Sequence, residues 1–366
     1  VGQPIIRGMS GPRVKILKNG MVNRDVSGLG VDHLNDIDLN DIQQLEIVKG
    51  PSSLLYANGT IGGIINVVDN CIIEENLDKQ EFIAGLETQS VNDGDVQHLN
   101  YKNNIAGFNV NFGYKKSEFG NFDVPDGAVM HDEDHEGHDE HEEEELSYIE
   151  NSDLEIESTK FGISRAGDWG YFGVSVDNLE SVYGIPYHGE HGDEHGDEHD
   201  DHDDDHGDDH DDHDDDHDDD HGDEHEGERI FSTTDSESLT VKGLYNLKGN
   251  LVKSVTYNYR DTDYTLTEAH AEEEGHDEHE EEEHEEHAPT VFSNNATEYG
   301  AIFDLSNDNL IQKISLNFVD EDSSIVGEEA FMNPANNEEF TIGYFMSADL
   351  DNFYLDAGFR IDQIDR

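Results

Sequence analysis

The sequence predicts a mainly β protein whose larger part is a transmembrane antiparallel β-barrel. From about residue 80 onwards, apolar and polar residues alternate over long segments, for example in residues 108–115, 239–247 and 353–362. Each of these segments has one apolar and one polar face. Strands in globular sheets average about 5–6 residues, whereas strands that cross a membrane need about 9–11. Strand length and alternation therefore favour a membrane barrel.

The connections between the predicted strands support the same fold. From the second strand on, short links at 106–107, 167–168, 249–250 and 308 alternate with long ones. Short turns on one side and long loops on the other are typical of outer-membrane barrels. A soluble β-sandwich is the alternative, and it explains neither this alternation nor the strand lengths. The eleven predicted strands are 81–90, 95–105, 107–119, 152–167, 169–183, 233–248, 250–266, 293–307, 309–321, 338–350 and 352–366.

Residues 1–73 have a different pattern from the rest of the chain. They combine short apolar strands at 14–17, 42–48 and 61–68 with glycine-containing turns. This pattern indicates a separate, compact unit that precedes the predicted barrel strands.

The negative charge of the chain is concentrated in three segments, residues 131–145, 188–228 and 268–287. The 366 residues carry a net charge of −69, and these segments hold 20 of the 22 histidines and 46 of the 89 acidic residues. Without them, 43 acidic residues remain against 20 basic ones. A balance of this kind argues against nucleic-acid binding, which needs a basic surface. It favours the attraction of cations to the three segments.

Other compositional features exclude several classes of site. The single cysteine, Cys71, rules out a disulfide framework and a thiolate-rich zinc site. The sequence contains no run of 18 apolar residues, so it predicts no transmembrane helix. No catalytic motif is recognisable, so we expect no enzyme activity. The chain begins at Val1 and ends at Arg366 within a strand-like pattern, so we expect a fragment of a longer protein.

The three acidic segments have the chemistry of a divalent-metal surface. In residues 188–228 a histidine recurs every three or four positions. Carboxylates alone favour calcium or magnesium, whereas imidazole moves the preference towards zinc, nickel, copper and cobalt. A solvated acidic loop and a metal buffer that does not feed transport remain the alternatives. The candidate ligands in the segments are His131, His135, His138, His141, His188, His191, His195, His199, His202, His206, His210, His213, His217, His221, His225, His270, His276, His279, His284 and His287.

The N-terminal residues resemble a known family. The motifs are PIIRG at residues 4–8, RVKILKNG at 13–20, IVKGPSSLLY at 47–56 and GGIINVV at 62–68. In this order and spacing they resemble the second half of the plug domain of TonB-dependent outer-membrane receptors. The resemblance implies an α+β plug over residues 1–73, and the first half of a 22-stranded barrel over residues 80–366. It also implies localisation in the outer membrane of a Gram-negative bacterium, with contacts to lipid and to TonB of the inner-membrane energising complex.

Further motifs are similar to those of the zinc-uptake receptors within that family. They are YGIPYH at residues 183–188, EAF at 329–331 and GFR at 358–360. This similarity implies uptake of Zn²⁺ or another divalent transition metal. In TonB-dependent receptors a plug loop of this kind can face the extracellular cavity, so Asp32 and His33 are either a deeper transport site or an ordinary polar pair of a loop. Arg7 is expected to form an ion pair between plug and barrel. The alternatives are uptake of a metal chelate, siderophore or haem, and a surface metal-buffering or adhesion protein without transport.

Overall fold

A computed structural model gives the fold of the chain. It describes residues 3–29, 33–39, 42–125, 127–128, 147–186, 230–249, 251–270, 288–327, 330–350 and 353–366.

Eleven long strands form one antiparallel sheet, called here the wall, in the order β17-β16-β15-β14-β13-β12-β11-β10-β7-β6-β5. The eleven strands predicted from the alternating pattern are therefore confirmed. Most are longer than the strands of a globular sheet. Their bounds are β5 Glu81–Gln89, β6 Gly94–Ile105, β7 Phe108–Phe119, β10 Leu154–Gly167, β11 Gly170–Gly184, β12 Ile230–Asn246, β13 Ser254–His270, β14 Thr290–Asp304, β15 Leu310–Val326, β16 Ala335–Asp349 and β17 Tyr354–Asp365.

The ends of these strands place the long connections at one edge of the wall. Every neighbouring pair is antiparallel. The links after β7, β11, β13 and β15 therefore leave from the same edge, called here the loop edge. The short links after β6, β10, β12, β14 and β16 lie at the opposite, turn edge. The predicted alternation of short and long links is confirmed. The fourth long link is shorter than expected because β15 continues to Val326.

The two faces of the wall differ in chemistry. Side chains of one face are largely buried against the N-terminal residues, and side chains of the other face are largely exposed. Three aromatic rings lie side by side on the outward face of β13, β14 and β15, with ring centroids 5.0 Å apart for Tyr259 and Tyr299 and 6.3 Å apart for Tyr299 and Phe318. Apolar and aromatic outward side chains are typical of the surface that a barrel presents to lipid.

The N-terminal residues form an inner unit, residues 3–69, with a four-stranded sheet in the order β2-β1-β4-β3. Its strands are β1 Val14–Lys18, β2 Met21–Val22, β3 Ile42–Val48 and β4 Gly63–Asp69. Its helical content among the described residues is two 3-10 helices, Gly11–Arg13 and Pro51–Leu55. The helical part of the expected α+β unit is therefore limited, among the described residues, to these two short 3-10 helices. Each of them has a proline at one of its first two positions. A further pair, β8 Phe122–Asp123 and β9 Tyr148–Ile149, lies in the first long link.

Within the described part of the chain, no helix is long and apolar enough to cross a membrane.

The main apolar cluster lies between the inner unit and the wall, close to the loop edge. Tyr264 and Leu266 are fully buried in it, and Val26 is the contribution of the inner unit to its buried core. Burial of this kind stabilises by about 25 cal/mol per Å² of apolar surface. The cluster therefore fixes the inner unit beneath the loop edge. Its buried members are Val26, Tyr183, Ile185, Ile230, Tyr264, Leu266, Phe292 and Ile325.

Candidate functional site

Two of the candidate metal ligands lie within the described residues, His33 and His270. The strands that flank the three acidic segments, β7 with β10, β11 with β12, and β13 with β14, all present their ends at the loop edge. The other candidates lie outside the described residues: Asp32, His131, His135, His138, His141, His188, His191, His195, His199, His202, His206, His210, His213, His217, His221, His225, His276, His279, His284 and His287.

His33 belongs to the inner unit and is 8% exposed. Its ring meets the edge of the Phe292 ring of β14, with ring centroids 5.3 Å apart. His33 therefore lies beneath the loop edge, on the inward side of the wall.

His270 is the last residue of β13, at the start of the third acidic segment. The alternation of β13 places Glu268 on the inward face, where it is 8% exposed. In the register of the wall, Glu268 lies opposite Thr290 and Ser232, and His270 lies opposite Ile230. Among the described residues, no group of three or more His, Cys, Asp or Glu is positioned to hold a metal ion. His33 and His270 are thus near the same edge without forming a preassembled site.

The loop at residues 33–38 is held against the wall by tyrosine side chains. The hydroxyl of Tyr264 donates a hydrogen bond of 2.7 Å to Asp36 Oδ2. The backbone N–H of Leu34 donates to the hydroxyl of Tyr183 at 3.4 Å. Tyr183 and Ile185 of the YGIPYH motif are buried in the apolar cluster. The structure therefore gives this motif a packing role next to the loop.

Asp36 and Asp25 are partly buried residues whose carboxyl groups are largely shielded from water. Burial raises the pKa of Asp36 to about 7, the hydrogen bond from Tyr264 opposes this change, and the charge of Asp25 adds to it. Burial also raises the pKa of Asp25, although hydrogen bonds from Ser27 and Asn23 favour its charged form. A raised carboxyl pKa means that the group binds its proton more tightly when folded than when unfolded.

The substitution Asp36→Asn is expected to remove a pH dependence from the docked loop. Protonated Asp36 is favoured in the folded state, so its contribution to stability is greatest in acid and is lost as the pH rises from 3.8 towards about 7. Thermal unfolding between pH 5 and pH 8 should therefore show a higher Tm for the variant at the alkaline end and a flatter profile. A profile parallel to that of the unsubstituted protein would contradict this.

A second contact of the same loop is a buried ion pair. Lys160 Nζ of β10 lies 2.8 Å from Asp38 Oδ2, and their side chains are 7% and 5% exposed. Ser158 donates a hydrogen bond of 2.9 Å to the same carboxyl oxygen. Burial removes the hydration of both charged groups, so each charge is stabilised largely by the opposite charge of its partner.

Two basic residues of the inner unit form further ion pairs with the wall. Lys18 Nζ lies 2.9 Å from Asp177 Oδ1 of β11, and Arg260 of β13 donates a hydrogen bond of 2.8 Å to the carbonyl of Lys18. Arg24 lies 3.1 Å from Glu321 and 3.6 Å from Glu298.

The sequence does not predict these ion pairs, because the two residues of each pair lie more than one hundred positions apart in the chain. Arg7, for which an ion pair with the barrel was expected, forms none with the described residues.

Residues 70–77, called here the strap, run from the inner unit to β5 along the inward face of the wall. Asn111 donates to the carbonyl of Asn70, Ser164 to that of Ile73 and Asn109 to that of Glu75, at 2.8, 2.5 and 2.9 Å. A Cβ atom at Gly162 would overlap the carbonyl oxygen of Cys71, and one at Gly173 would overlap the Ile72 side chain. The two glycines form the slot in which the strap lies.

The 3-10 helix Pro51–Leu55 makes a similar contact at the other end of the wall. A Cβ atom at Gly343 would lie 2.9 Å from the carbonyl oxygen of Leu54, and one at Gly358 would lie 2.9 Å from that of Pro51. Arg360 donates to the Leu54 carbonyl at 3.4 Å and pairs with Glu339 at 2.9 Å. Gly358 and Arg360 of the GFR motif therefore position the inner unit.

The inner unit, with its Gly-Pro turn and its four-stranded sheet against the wall, has a counterpart among known families. Residues 1–64 match the TonB-dependent Receptor Plug Domain. The inner unit is accordingly called the plug from here on. The resemblance of the N-terminal motifs to this family is confirmed at this level, whereas the similarity to the zinc-uptake subgroup is not tested by the match.

Solved structures of transporters and receptors share the fold. The structure "Copper transporter OprC" aligns with a TM-score of 0.63 and 12% identity over 99% of this chain and 49% of its own. The FrpB iron transporter from Neisseria meningitidis aligns with a TM-score of 0.59 and 12% identity over 98% of this chain and 51% of its own. The Serratia marcescens hemophore receptor HasR, in complex with its hemophore and heme, aligns with a TM-score of 0.64 and 9% identity over 98% of this chain and 45% of its own.

These similarities concern the fold, since the identities are low. The chain spans about half the length of each of these structures. The predicted fold, an antiparallel barrel wall around a plug, is confirmed. The predicted localisation in the outer membrane agrees with this fold, because TonB-dependent receptors are Gram-negative outer-membrane β-barrel proteins.

Proposed function

We propose that the protein takes up a divalent metal ion across the outer membrane in a TonB-dependent manner, with zinc as the preferred cargo. One observation carries the proposal: all three acidic, histidine-rich segments connect strands at the same edge of the wall, and the plug lies beneath that edge. Residues 1–73 would be the second half of the plug, and residues 80–366 the first half of the barrel.

The three segments are proposed to concentrate the cation, and the plug to control its passage. Their carboxylates supply an attractive field, and their imidazoles select transition metals over calcium and magnesium. His33, buried beneath the loop edge, and the neighbouring Asp32 are proposed as the next binding position. Energy delivered through TonB would then move the plug and release the ion inward.

The choice of zinc rests on the motifs that are similar to the zinc-uptake receptors. Nitrogen ligands alone would bind copper more tightly than zinc, and one similar structure is named a copper transporter. Uptake of a metal chelate, siderophore or haem is the second candidate, favoured by the hemophore receptor among the similar structures. A buffering protein without transport would need neither TonB nor a movable plug.

The test is zinc uptake at limiting zinc by cells that carry the full-length receptor, with copper and nickel as competitors. Two variants are compared, one lacking residues 189–228 and one in which the eleven histidines of residues 188–225 are replaced by glutamine. We expect both variants to lose high-affinity uptake. The second keeps the length and negative charge of the segment and lacks only its imidazoles, so its loss of uptake would identify the histidines as the groups that matter. His98→Gln, on β6 and outside the segments, is the matched control.

The outcomes separate the candidate functions. Zinc uptake that is lost in both variants, and in cells without TonB, supports the proposal. Zinc uptake unchanged by either variant would reduce the segment to a buffer and move the search to Asp32 and His33. No zinc uptake by the unsubstituted receptor would favour a chelate or haem.

Metal capture by the three segments is expected to weaken as the pH falls below about 6–7, the range in which imidazole gains a proton. A histidine must lose its proton to bind a metal, so protons and zinc compete. Zinc titrations of the full-length receptor at pH 7.5 and pH 5.5 measure this directly. An affinity that is the same at both pH values would contradict imidazole ligation. The glutamine variant should show a smaller change with pH, because it keeps only the histidines of the other two segments.

A further inference from the structure

A small cavity lies between the plug and strands β10 to β13 of the wall. It has room for about 40 Å³ of solvent, which is enough for a few water molecules or one small ion. Residues of the plug and residues of the wall both line it, so an occupant would touch both parts of the protein. The charged residues of the lining are Lys18, Arg24, Asp36, Asp38, Lys160, Asp177 and Arg260.

Three of the four basic residues in this lining already have a carboxylate partner. Lys18, Lys160 and Arg24 each lie within 4.0 Å of a carboxylate oxygen. Asp36 carries little charge below pH 7, because burial raises its pKa to about 7. The carboxyl groups of the lining therefore leave no full negative charge to balance the fourth basic residue, Arg260.

Arg260 is a buried cation without a direct counter-charge. The residue is 5% exposed, and its guanidinium donates to the carbonyl of Lys18 at 2.8 Å and to the hydroxyl of Thr240 at 3.4 Å. It forms no ion pair with any of the described residues. Glu298 and Asp177 act on it from farther away, and both are already paired with other basic residues. A guanidinium has five N–H donors, and burying a charge without a partner is unfavourable.

Two further residues of the lining carry a buried polar atom that lacks a partner. The Nε–H of Arg24 and the hydroxyl of Thr262 make no hydrogen bond with the described residues. Thr262 is 9% exposed. Buried polar groups are nearly always hydrogen-bonded, so an unsatisfied group indicates a water molecule or an ion. Hydrogen bonds from a cationic donor to an anion are among the stronger ones that proteins make. Two guanidinium groups and a hydroxyl around one cavity are therefore suited to an anion.

The size of the cavity limits which anion it can hold. A halide ion with a few waters fits into this space, whereas a larger organic anion would force the plug away from the wall. We propose that the cavity binds a chloride ion, held by Arg260 and Thr262 of the wall and by Arg24 of the plug. Because its ligands come from both parts, the bound ion stabilises the docked plug.

The test is the Tm of the full-length receptor in sodium chloride, sodium bromide or sodium gluconate at equal ionic strength. Bromide is close to chloride in size, and gluconate is too large for the cavity. Arg260→Met removes the unpaired charge, and Thr262→Val removes one hydroxyl with little change in shape. The matched control is Lys313→Met, which removes an inward-facing basic side chain of β15 that does not line the cavity.

We expect chloride and bromide to raise the Tm of the unsubstituted receptor and of the control above the value in gluconate, as an ion that binds the folded state must do. Arg260→Met should lose this rise, and Thr262→Val should need several-fold more chloride to reach it. Equal Tm values in chloride and gluconate would overturn the proposal, and so would a rise that Arg260→Met retains. If Arg260→Met does not fold, an unchanged chloride response of Thr262→Val would overturn it.

Crystals of the full-length receptor grown in bromide give an independent measurement. The anomalous signal of bromide should show a peak beside the guanidinium of Arg260, and its absence there would count against the site. Neither readout involves metal uptake or TonB. A failure of this proposal would therefore leave the proposed function untouched, and the reverse also holds.

Discussion

Replacement of Gly162 by leucine is expected to displace the strap from the wall and to open a leak beside the plug. A Cβ atom at this position overlaps the carbonyl oxygen of Cys71, and backbone cannot rotate away as a side chain would. Overpacking of a filled interior costs about 1–3 kcal/mol and occasionally more. A leucine against a hydrogen-bonded backbone belongs at the upper end of that range.

The measurement is Tm of the purified full-length receptor, together with entry of a hydrophilic solute into cells that carry it. Gly162→Ala should give a smaller effect in the same direction. Gly28→Ala is the matched control, because a Cβ atom there meets no atom within 4 Å. Unchanged Tm and no leak for the leucine variant would mean that the strap can leave its slot without consequence.

The substitution Asp38→Asn is expected to destabilise the docked plug by about 3–5 kcal/mol, the usual cost of removing one partner from a buried ion pair. Lys160 would then keep a buried charge without the carboxylate that lies 2.8 Å away. Asp177 and Asp69, which also act on Lys160, would limit the loss. The free energy of unfolding of the full-length receptor in denaturant gives the size of the effect.

The double variant Asp38→Asn with Lys160→Met should recover much of this loss, because no uncompensated charge remains. Lys116→Met provides the comparison at the surface, where the ion pairs of Lys116 are partly exposed. Surface pairs contribute about 0–1 kcal/mol. Equal losses for Asp38→Asn and Lys116→Met would show that the pair of Asp38 and Lys160 is not sheltered from water.

The strands of the wall were predictable because each is specified locally. Residues of β12 and β13 alternate between the plug and the lipid, and that alternation is visible in the sequence without knowledge of any partner. Strand ends were less predictable, because β15 and β13 continue beyond the apolar pattern into polar residues. There the ladder of backbone hydrogen bonds extends the strand, although the side chains no longer alternate in polarity.

The contacts of the candidate site could not be predicted in the same way. Nothing near Asp36 in the sequence indicates Tyr264, since 228 residues separate them. His33 was singled out as a possible ligand, and its burial against Phe292 is a tertiary contact between plug and wall. The YGIPYH and GFR motifs are recognisable in the sequence as similarities, but their packing roles depend on which residues face them across the interface between plug and wall.

The attachment of the strap has a consequence for how its own sequence can change. The wall contacts the strap largely through carbonyl oxygens, which every amino acid possesses, and through slots that only glycine provides. The path of residues 70–77 is therefore encoded largely in the wall, in residues far away in the chain. Within the strap, side-chain identity matters at the buried Cys71 and Ile72, at Glu74, which pairs with Lys242, and at Asn76, which donates to the carbonyl of Ala166.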